Sequence, residues 1–271
     1  ANVNLVLNAS RFLPSSDLLS TVTKVCLTVG AGVRKTYFNK QGMSDDESMK
    51  MTNPIGLDYR PLYNSSMTYG SFLLPGLLAI ILQQTLLIGV AASLTTEREN
   101  KKLSSLYRLS GHNISKIIVG KSLLYFIVFM VFGLFFTVIN FSVFDIQIRG
   151  SYWSLGIIGA LFIMSIITMG FLIGSFFKTK LLAFQVLVFS SYPFFLVTGY
   201  SMPYQALPKA VQWFSDMLPT SPFLKAYISI VQSGGALADV LPSILHLLII
   251  WLVMVILLVV RLRNLFRQNR G

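Results

Sequence analysis

The sequence predicts a mainly α-helical protein that crosses a membrane several times and also carries part of an extracytoplasmic α/β domain. Of its 271 residues, 54% are hydrophobic and 12% are charged, whereas about a quarter of the residues in soluble domains are charged. The apolar residues form five long uncharged stretches, each near the ~20 residues that a tilted transmembrane helix needs. This composition excludes a soluble enzyme. One cysteine and two histidines provide neither a disulfide framework nor a zinc module.

The five predicted spans follow from the distribution of charges, because a charge at the bilayer centre costs roughly 2.5 to 3.5 kcal/mol on insertion scales. In chain order they cover residues 72–93, 122–144, 153–177, 181–200 and 241–260. Only three residues separate the third span from the fourth. These two spans are therefore predicted to form a tight antiparallel hairpin.

The basic residues predict the orientation of the spans. When the 94–121 loop, the 178–180 turn and the tail after residue 260 are placed on one side, that side carries twelve of the 22 basic residues. It carries only two of the ten acidic residues, Glu97 and Glu99. The positive-inside rule therefore places this side, with the carboxyl terminus, in the cytoplasm. We assign the positive charge to anionic lipid and expect no nucleic-acid partner.

An odd number of spans with a cytoplasmic carboxyl terminus places residues 1–70 on the outer side. Residues 1–10 have neither the basic region nor the apolar region of a signal peptide. The chain also begins with Ala and not with Met. We therefore expect that a sixth, N-terminal span and the early part of the outer domain are missing from this chain. A cleaved signal peptide is the alternative.

Residues 1–70 have the sequence pattern of the C-terminal part of an extracytoplasmic α/β domain. Residues 3–7 alternate as a short strand, residues 14–33 combine helix-start chemistry with apolar residues at helical spacing, and residues 54–62 are predicted to be extended. The polar residues 41–53 are predicted to be a loop. We interpret three acidic residues of this loop as solvated, in preference to a cation site: Asp45, Asp46 and Glu47.

The remainder of the chain, residues 71–271, is predicted to be a transmembrane domain with a short amphipathic helix over residues 96–110 of the cytoplasmic loop. Thr96 and Glu99 have the spacing of a capping box. Apolar residues follow at helical intervals: Leu103, Leu106 and Tyr107. This helix either rests on lipid headgroups or docks to a cytoplasmic partner, and the residues alone favour neither interpretation.

The order of short motifs along the whole chain resembles that of the type 2 ABC exporter permeases. The first motifs are Tyr59-Arg60-Pro61-Leu62-Tyr63-Asn64, Leu73-Leu74-Pro75-Gly76, and Glu97-Arg98-Glu99-Asn100 followed by Leu103 and Ser110-Gly111. The later ones are Gly199-Tyr200-Ser201-Met202-Pro203, Leu207-Pro208, Phe214, Leu218-Pro219-Thr220-Ser221-Pro222 and Gly234-Gly235. The specificity lies in their order. Members of this family have six spans with the outer domain between spans one and two, which agrees with a missing first span.

The resemblance implies roles for two segments. The 96–110 segment is similar to the coupling helix that fits into a groove of the ATP-binding subunit, through charge-assisted and apolar contacts. Its docking residues are then Glu97, Arg98, Glu99, Leu103, Leu106 and Tyr107. The 203–235 segment is similar to the outer re-entrant helices that close the translocation path, although an ordinary loop on the headgroups is the alternative. The candidate residues of this outer gate are Gly199, just before the segment, and Pro203, Pro208, Phe214 and Pro219 within it.

Polar side chains and glycines within the spans are the remaining candidates. Gln83 and Gln84 lie in the middle of the first span, where they either line a substrate path or hold neighbouring helices together. His246 in the last span is a candidate proton relay or a packed, hydrogen-bonded residue. Gly170 and Gly174 have the spacing that allows close approach of another helix.

The sequence provides no phosphate-binding loop. The nearest pattern is Gly120-Lys121-Ser122, but Ser115 occupies the position of the required first glycine. We therefore expect that this chain binds no cofactor and is not itself an enzyme. ATP and Mg²⁺ would be bound by a separate ATP-binding subunit.

These observations predict the membrane-spanning permease of an ATP-driven ABC exporter, which moves a hydrophobic or amphipathic cargo outward by alternating access. The expected location is the cell inner membrane. The expected partners are an ABC ATP-binding subunit, a second permease chain that is identical or paralogous, the lipid bilayer and a periplasmic adaptor protein. The alternatives are a stand-alone channel or proton-coupled transporter, which would need ionisable groups within the spans. An integral membrane lipid-modifying enzyme would need clustered acid/base residues.

Overall fold

The computed structural model describes residues 3–8, 12–52, 57–62, 69–143, 148–200 and 204–268. Within these ranges the chain is mainly helical, as the sequence predicts. It divides into two compact units, Ala1–Phe72 and Leu73–Gly271.

In the described residues from 3 to 62, two short strands combine with two helices. Strand β1 (Val3–Asn8) pairs in parallel with β2 (Leu57–Leu62). Helix α1 (Phe12–Lys40) follows β1 and is longer than the predicted helix. The early strand, the helix after it and the extended segment ending at residue 62 are confirmed, while residues 53–56 lie outside the described ranges.

The prediction of a loop over residues 41–53 is wrong for residues 45–50. Helix α2 (Asp45–Lys50) forms there, because Ser44 and Glu47 make a capping box. The Ser44 Oγ accepts a hydrogen bond from the Glu47 backbone N–H at 3.3 Å, and the Ser44 backbone N–H donates to Glu47 Oε2 at 3.2 Å. The three acidic residues occupy the first turn, where the free N–H groups of a helix favour negative charge.

The second part of the described chain contains eight α-helices, of which five are long and apolar enough to cross a membrane. The helices are α3 (Tyr69–Glu99), α4 (Leu103–Leu109), α5 (Ile114–Val143), α6 (Tyr152–Gly174), α7 (Lys180–Val197), α8 (Lys209–Met217), α9 (Thr220–Tyr227) and α10 (Leu241–Gln268). The candidate spans are α3, α5, α6, α7 and α10. The prediction of five spans is confirmed, although several helices extend past the uncharged stretches.

The ends of these helices form two groups. One group, the basic end, contains the carboxyl ends of α3, α6 and α10, the amino ends of α5 and α7, and helix α4. The other group, the opposite end, contains α8 and α9 together with the amino ends of α6 and α10. The connection between α6 and α7 is short, as the hairpin prediction requires.

Helices α3 and α6 approach each other closely along a stripe of small residues. A Cβ atom added at Gly170 would lie 2.9 Å from the Val90 Cβ, and one added at Gly174 would lie 2.9 Å from both the Cα and the carbonyl oxygen of Ala91. The close approach of another helix, predicted from the spacing of Gly170 and Gly174, is therefore confirmed. Around this contact, Phe162 and other residues of α6 are buried.

Helices α5 and α7 have a different environment. Both expose large apolar side chains, among them Leu124 on α5 at 66% and Phe189 on α7 at 83%. In a bilayer such faces are covered by lipid tails or by another apolar helix. Helices α3 and α6 therefore carry most of the core, α10 contributes one face to it, and α5 and α7 contribute least.

We predict that Gly174→Ala destabilises the helical unit by about 1 to 3 kcal/mol, because the added methyl group would overlap the α3 backbone. The measurement is the thermal unfolding midpoint of the purified protein in detergent. Gly120→Ala is the matched control, since a Cβ at Gly120 meets no atom within 4 Å. Equal midpoints for the two variants would contradict the close α3–α6 contact.

Candidate functional site

The segment predicted as a single helix over residues 96–110 is two elements. Helix α3 continues through Glu99, and α4 begins at Leu103. The predicted helix cap at Thr96 is therefore wrong, because Thr96 lies within α3 and does not precede a helix. The chain reverses at Lys101, which has a φ of 54°.

Glu97 binds the neighbouring helix α5. The Lys121 Nζ lies 2.6 Å from Glu97 Oε1 and donates a hydrogen bond to Ser93 Oγ at 2.8 Å. The two charged side chains are only 20% and 23% exposed. At this degree of burial, solvent screens the attraction less than in a surface ion pair.

Arg98 and Glu99 bind the connection between α6 and α7. The Arg98 Nη1 donates to the carbonyl oxygens of Ser175 at 2.9 Å and Phe177 at 3.0 Å, which lie just beyond the end of α6. The Glu99 carboxylate accepts a hydrogen bond at 3.0 Å from the backbone N–H of Lys180, the first residue of α7. A cation at a helix C-terminus and an anion at an N-terminus are both favoured by the helix dipole.

We call Glu97, Arg98 and Glu99 the α3 clamp, because three consecutive residues of α3 hold three other helices. Arg261 of α10 reinforces the same place, since its Nη2 donates to the Ser175 carbonyl at 3.4 Å. Its guanidinium also lies 4.6 Å from the centre of the Phe176 ring. The charged residues predicted to dock a partner therefore have partners within their own chain.

The three apolar residues predicted to dock a partner also face the interior. Leu103 is 2% exposed, and Leu106 packs against the same core cluster. The Tyr107 ring stacks on Phe266 of α10 with centroids 4.8 Å apart. The apolar stripe of α4 is thus covered by the protein itself.

The exposed face of α4 includes a residue that the sequence reasoning missed. Leu109 is 86% exposed and lies off the apolar stripe of the helix. Exposed polar and basic residues flank it along this turn and helix: Lys101, Lys102, Ser104, Ser105 and Arg108. The helical spacing could have identified Leu109, because a leucine outside the apolar stripe of an amphipathic helix faces away from the core.

At the opposite end, the 203–235 segment forms four short elements. They are a 3₁₀ turn (Tyr204–Ala206), α8, α9 and a π-helix (Ile228–Gln232). Most of α9 is buried, and α9 packs against α6 and α10. This burial favours the re-entrant interpretation over a loop resting on headgroups, because irregular backbone is tolerated at membrane depth only within protein.

The candidate gate residues fall into different environments. Gly199 has a φ of +71°, which permits the turn after α7. Pro208 precedes α8 and is exposed, whereas Pro219 precedes α9 and is buried. The Phe214 ring lies 6.1 Å from the ring of Phe194. Pro203 lies outside the described residues.

A polar cluster around Asp216 joins these short elements. The Tyr204 hydroxyl donates to Asp216 Oδ2 at 2.6 Å, and the Lys225 Nζ lies 3.8 Å from Asp216 Oδ1 and 4.3 Å from the centre of the Tyr204 ring. The hydrogen bond to the carboxylate is the main reason why the pKa of Tyr204 is raised. His246 Nε2 lies 2.8 Å from the Asp216 carbonyl oxygen, a hydrogen-bonded position that agrees with the packed alternative for this histidine.

Gln83 links the first span to the opposite end. It is fully buried, and its Oε1 accepts a hydrogen bond from the Thr220 hydroxyl of α9. This contact favours the helix-holding interpretation of Gln83. Gln84 is 6% exposed, and neither polar atom of its amide has a hydrogen-bond partner in the described part of the chain. A buried amide without hydrogen-bond partners is destabilising, so a polar group that reached Gln84 would bind there favourably.

The family model of the ABC-2 family transporter protein matches residues 1–260. The chain belongs to the ABC-2 transporter family. It is therefore a multi-pass membrane protein of an ABC transporter family. The resemblance found in the sequence motifs is confirmed.

This ABC-2 chain is similar to the probable multidrug ABC transporter permease YbhS of Escherichia coli strain K12 and of Escherichia coli O157:H7. It is 21% identical to each over 208 residues, which are 76% of this chain and 54% of the relative. The chain thus spans about half the length of the curated relatives that it matches. No solved structure matches it.

We predict a coupling energy of about 1 to 2 kcal/mol between Glu97 and Lys121, since removing one partner leaves the other charge partly buried. A double-mutant cycle with Glu97→Gln and Lys121→Met, followed by chemical unfolding in detergent, measures it. Lys35 and Asp45 provide the control pair, with 35% and 71% exposure and a 3.4 Å separation. That exposed pair should give a coupling near zero. Equal couplings would argue against a structural role for the clamp.

Proposed function

We propose that this ABC-2 chain is the permease half of an ATP-driven exporter, in which the exposed face of α4 docks to the ATP-binding subunit. The observation that carries the proposal is the position of α4. A short helix stands at the basic end with its apolar stripe buried against the chain, yet it presents the 86% exposed Leu109 outward. Protein interfaces have an apolar centre and a polar rim, and Leu109 with its polar and basic neighbours has this arrangement.

The α3 clamp has a positioning role in this proposal. Its three charged side chains bind α5, α6 and α7. A displacement of α4 and of the end of α3 would therefore move these three helices together. The docking contact itself is assigned to Arg108 and Leu109. This division explains why charged residues beside the docking helix are bound within the chain.

The transport cycle requires two states with different affinity for ATP and cargo. ATP binding brings two ATP-binding subunits together, and their movement reaches two permease chains through the docked α4 helices. This chain is proposed to bind no cofactor, with ATP and Mg²⁺ held by the partner subunit. The basic end is then cytoplasmic in the inner membrane, and residues 1–70 lie outside, within reach of a periplasmic adaptor.

The opposite end is proposed to close the translocation path in the resting state. Helix α9 is buried and bound to Gln83, and the Asp216 cluster holds the 3₁₀ turn, α8 and α9 together. Gln84 is the candidate for contact with the path or with the second permease chain. A hydrophobic or amphipathic cargo fits the apolar spans and the multidrug transport named for the relatives.

We predict that Leu109→Asp abolishes co-purification of the ATP-binding subunit from detergent-solubilised native membranes, because a buried unpaired charge would replace an apolar contact. The measurement compares the amount of ATPase recovered with tagged full-length protein. Leu237→Asp is the matched control, since Leu237 is an exposed leucine, at 45%, in the turn before α10 at the opposite end. Recovery of equal amounts of ATPase with both variants would contradict the docking proposal.

We predict that Asp216→Leu opens the opposite end and gives a several-fold faster leak of a small dye from proteoliposomes. The substitution removes the carboxylate that accepts a hydrogen bond from the Tyr204 hydroxyl and forms an ion pair with Lys225. The backbone carbonyl of residue 216, which binds His246, is kept. Asp239→Leu is the control, because the Asp239 carboxylate accepts a local hydrogen bond from the Ala236 N–H at 2.8 Å, within the turn before α10.

The same cluster gives a pH dependence. Because the pKa of Tyr204 is raised above its usual value of 10.0, the phenol donates to Asp216 at all lower pH values. The stabilisation that this hydrogen bond gives to the cluster is present below pH 10, and it is lost only as the pH rises through the raised pKa of Tyr204. Wild-type leak should therefore stay constant across the physiological range. An increase between pH 6 and pH 8 would contradict this account of closure.

A further inference from the structure

An open apolar groove of about 390 Å³ lies between α5, α6 and α10. On α5 its lining extends from Ser115 to Phe126, and on α10 from Trp251 to Val259, while α6 contributes Ile167. All three helices are candidate membrane spans. The groove therefore faces the apolar part of a bilayer.

The groove has the depth of one lipid leaflet. It begins at the basic end, since Ser115 is the second residue of α5 and Val259 lies near the carboxyl end of α10. At 1.5 Å per residue, the α5 lining from Ser115 to Phe126 is about 16 Å long, roughly half of the ~30 Å hydrocarbon core. An occupant of this length enters from the basic side and ends near the bilayer centre.

Two exposed cations stand at the mouth of the groove. Lys116 lies three residues before Val119, which lines the groove, and Arg263 lies four residues after Val259. Residues at these spacings share one face of a helix, so both cations continue the lining beyond the apolar part. Neither α5 nor α10 contains an aspartate or a glutamate.

The acidic side chains on α3 at this end have other partners. Glu97 pairs with Lys121, and the Glu99 carboxylate accepts a hydrogen bond from the Lys180 N–H. Within the described ranges, the ion pairs at the basic end include neither Lys116 nor Arg263. Both positive charges are therefore available to an anion.

We propose that the groove binds one acyl chain of an anionic phospholipid, whose phosphate is held by Lys116 and Arg263. The apolar lining suits the chain, and the two cations complement the headgroup. Each cation near a lipid surface contributes about a fivefold preference for anionic lipid. Because this binding requires neither ATP nor a partner subunit, the proposal does not depend on the proposed export function.

The lining favours a lipid chain over a helix of a second copy of this protein. Helices that pack together in membranes use small residues, as α3 and α6 do at Gly170 and Gly174. The groove is lined by no glycine or alanine. A transmembrane helix would also continue over the whole bilayer, whereas the groove covers about half of it.

The experiment uses the full-length protein in phosphatidylcholine vesicles that contain a trace of lipid with a photoreactive diazirine on one acyl chain. The labelled lipid is phosphatidylglycerol in one sample and phosphatidylcholine in the other. After irradiation, mass spectrometry of the peptides is expected to show labelling of α5 and α10 at the groove. The phosphatidylglycerol label should be stronger by about fivefold for each cation.

Two charge variants test the headgroup contact. Lys116→Gln and Arg263→Gln should each lower the phosphatidylglycerol label about fivefold and leave the phosphatidylcholine label unchanged. The double variant Lys178→Gln/Lys180→Gln is the matched control, because these exposed lysines lie at the same end but flank the connection from α6 to α7. Since all four side chains are exposed, these substitutions leave the helix packing intact.

A third substitution tests the groove itself. Val255→Trp should fill it and remove most of the label from both lipids. Val253→Trp is the control, since Val253 is 49% exposed on the same helix and does not line the groove. Excess inorganic phosphate at constant ionic strength should not compete, because a free phosphate has no acyl chain.

Equal labelling of the wild type by the two lipids would overturn the headgroup contact, as would a preference that survives in both charge variants. Competition by inorganic phosphate would overturn the contribution of the chain. Undiminished labelling of a folded Val255→Trp protein, or cross-linking of a second copy in the groove in place of lipid, would overturn the groove as a lipid site. The charge variants keep the proposal testable if Val255→Trp fails to fold.

Discussion

The contact between α3 and α6 determines how the helical unit is arranged. Within a bilayer there is little hydrophobic force between helices, so close packing at small residues must supply the attraction. Gly170 and Gly174 allow the α6 backbone to reach Val90 and Ala91 of α3. With these two helices in contact, the charged end of α3 meets the start of α7, and its middle meets α9.

The α3 clamp shows how charge is accommodated at the end of a membrane helix. Glu97 has a cationic partner on α5, while Arg98 and Glu99 use the carbonyl and N–H groups that the ends of α6 and α7 leave free. Each charge is therefore compensated by a different element. A substitution in the clamp changes the packing of several helices at once, so loss of partner binding by such a variant would not distinguish docking from folding.

The sequence predicted the spans well because each is an uninterrupted apolar run, and it predicted the close helix contact because Gly170 and Gly174 form a local pattern. It failed where partners are distant. Thr96 matches a cap motif, but α3 continues because its last residues bind groups 77 to 81 positions away at Ser175, Phe177 and Lys180. The bond from Thr220 to Gln83 crosses 137 positions. By contrast, the Ser44 cap of α2 is a local motif that the sequence contained.

The continuity of α3 has a mechanical consequence. From Gln83 to Glu99 the helix has no proline or other break, and at 1.5 Å per residue this segment is about 24 Å long. A tilt of about 5° around the buried amide would displace the far end by about 2 Å, similar to the helix shifts of many allosteric proteins. The helix can therefore act as a rigid lever. Pro75, where the backbone ladder lacks a donor, lies beyond the pivot and leaves the lever arm stiff.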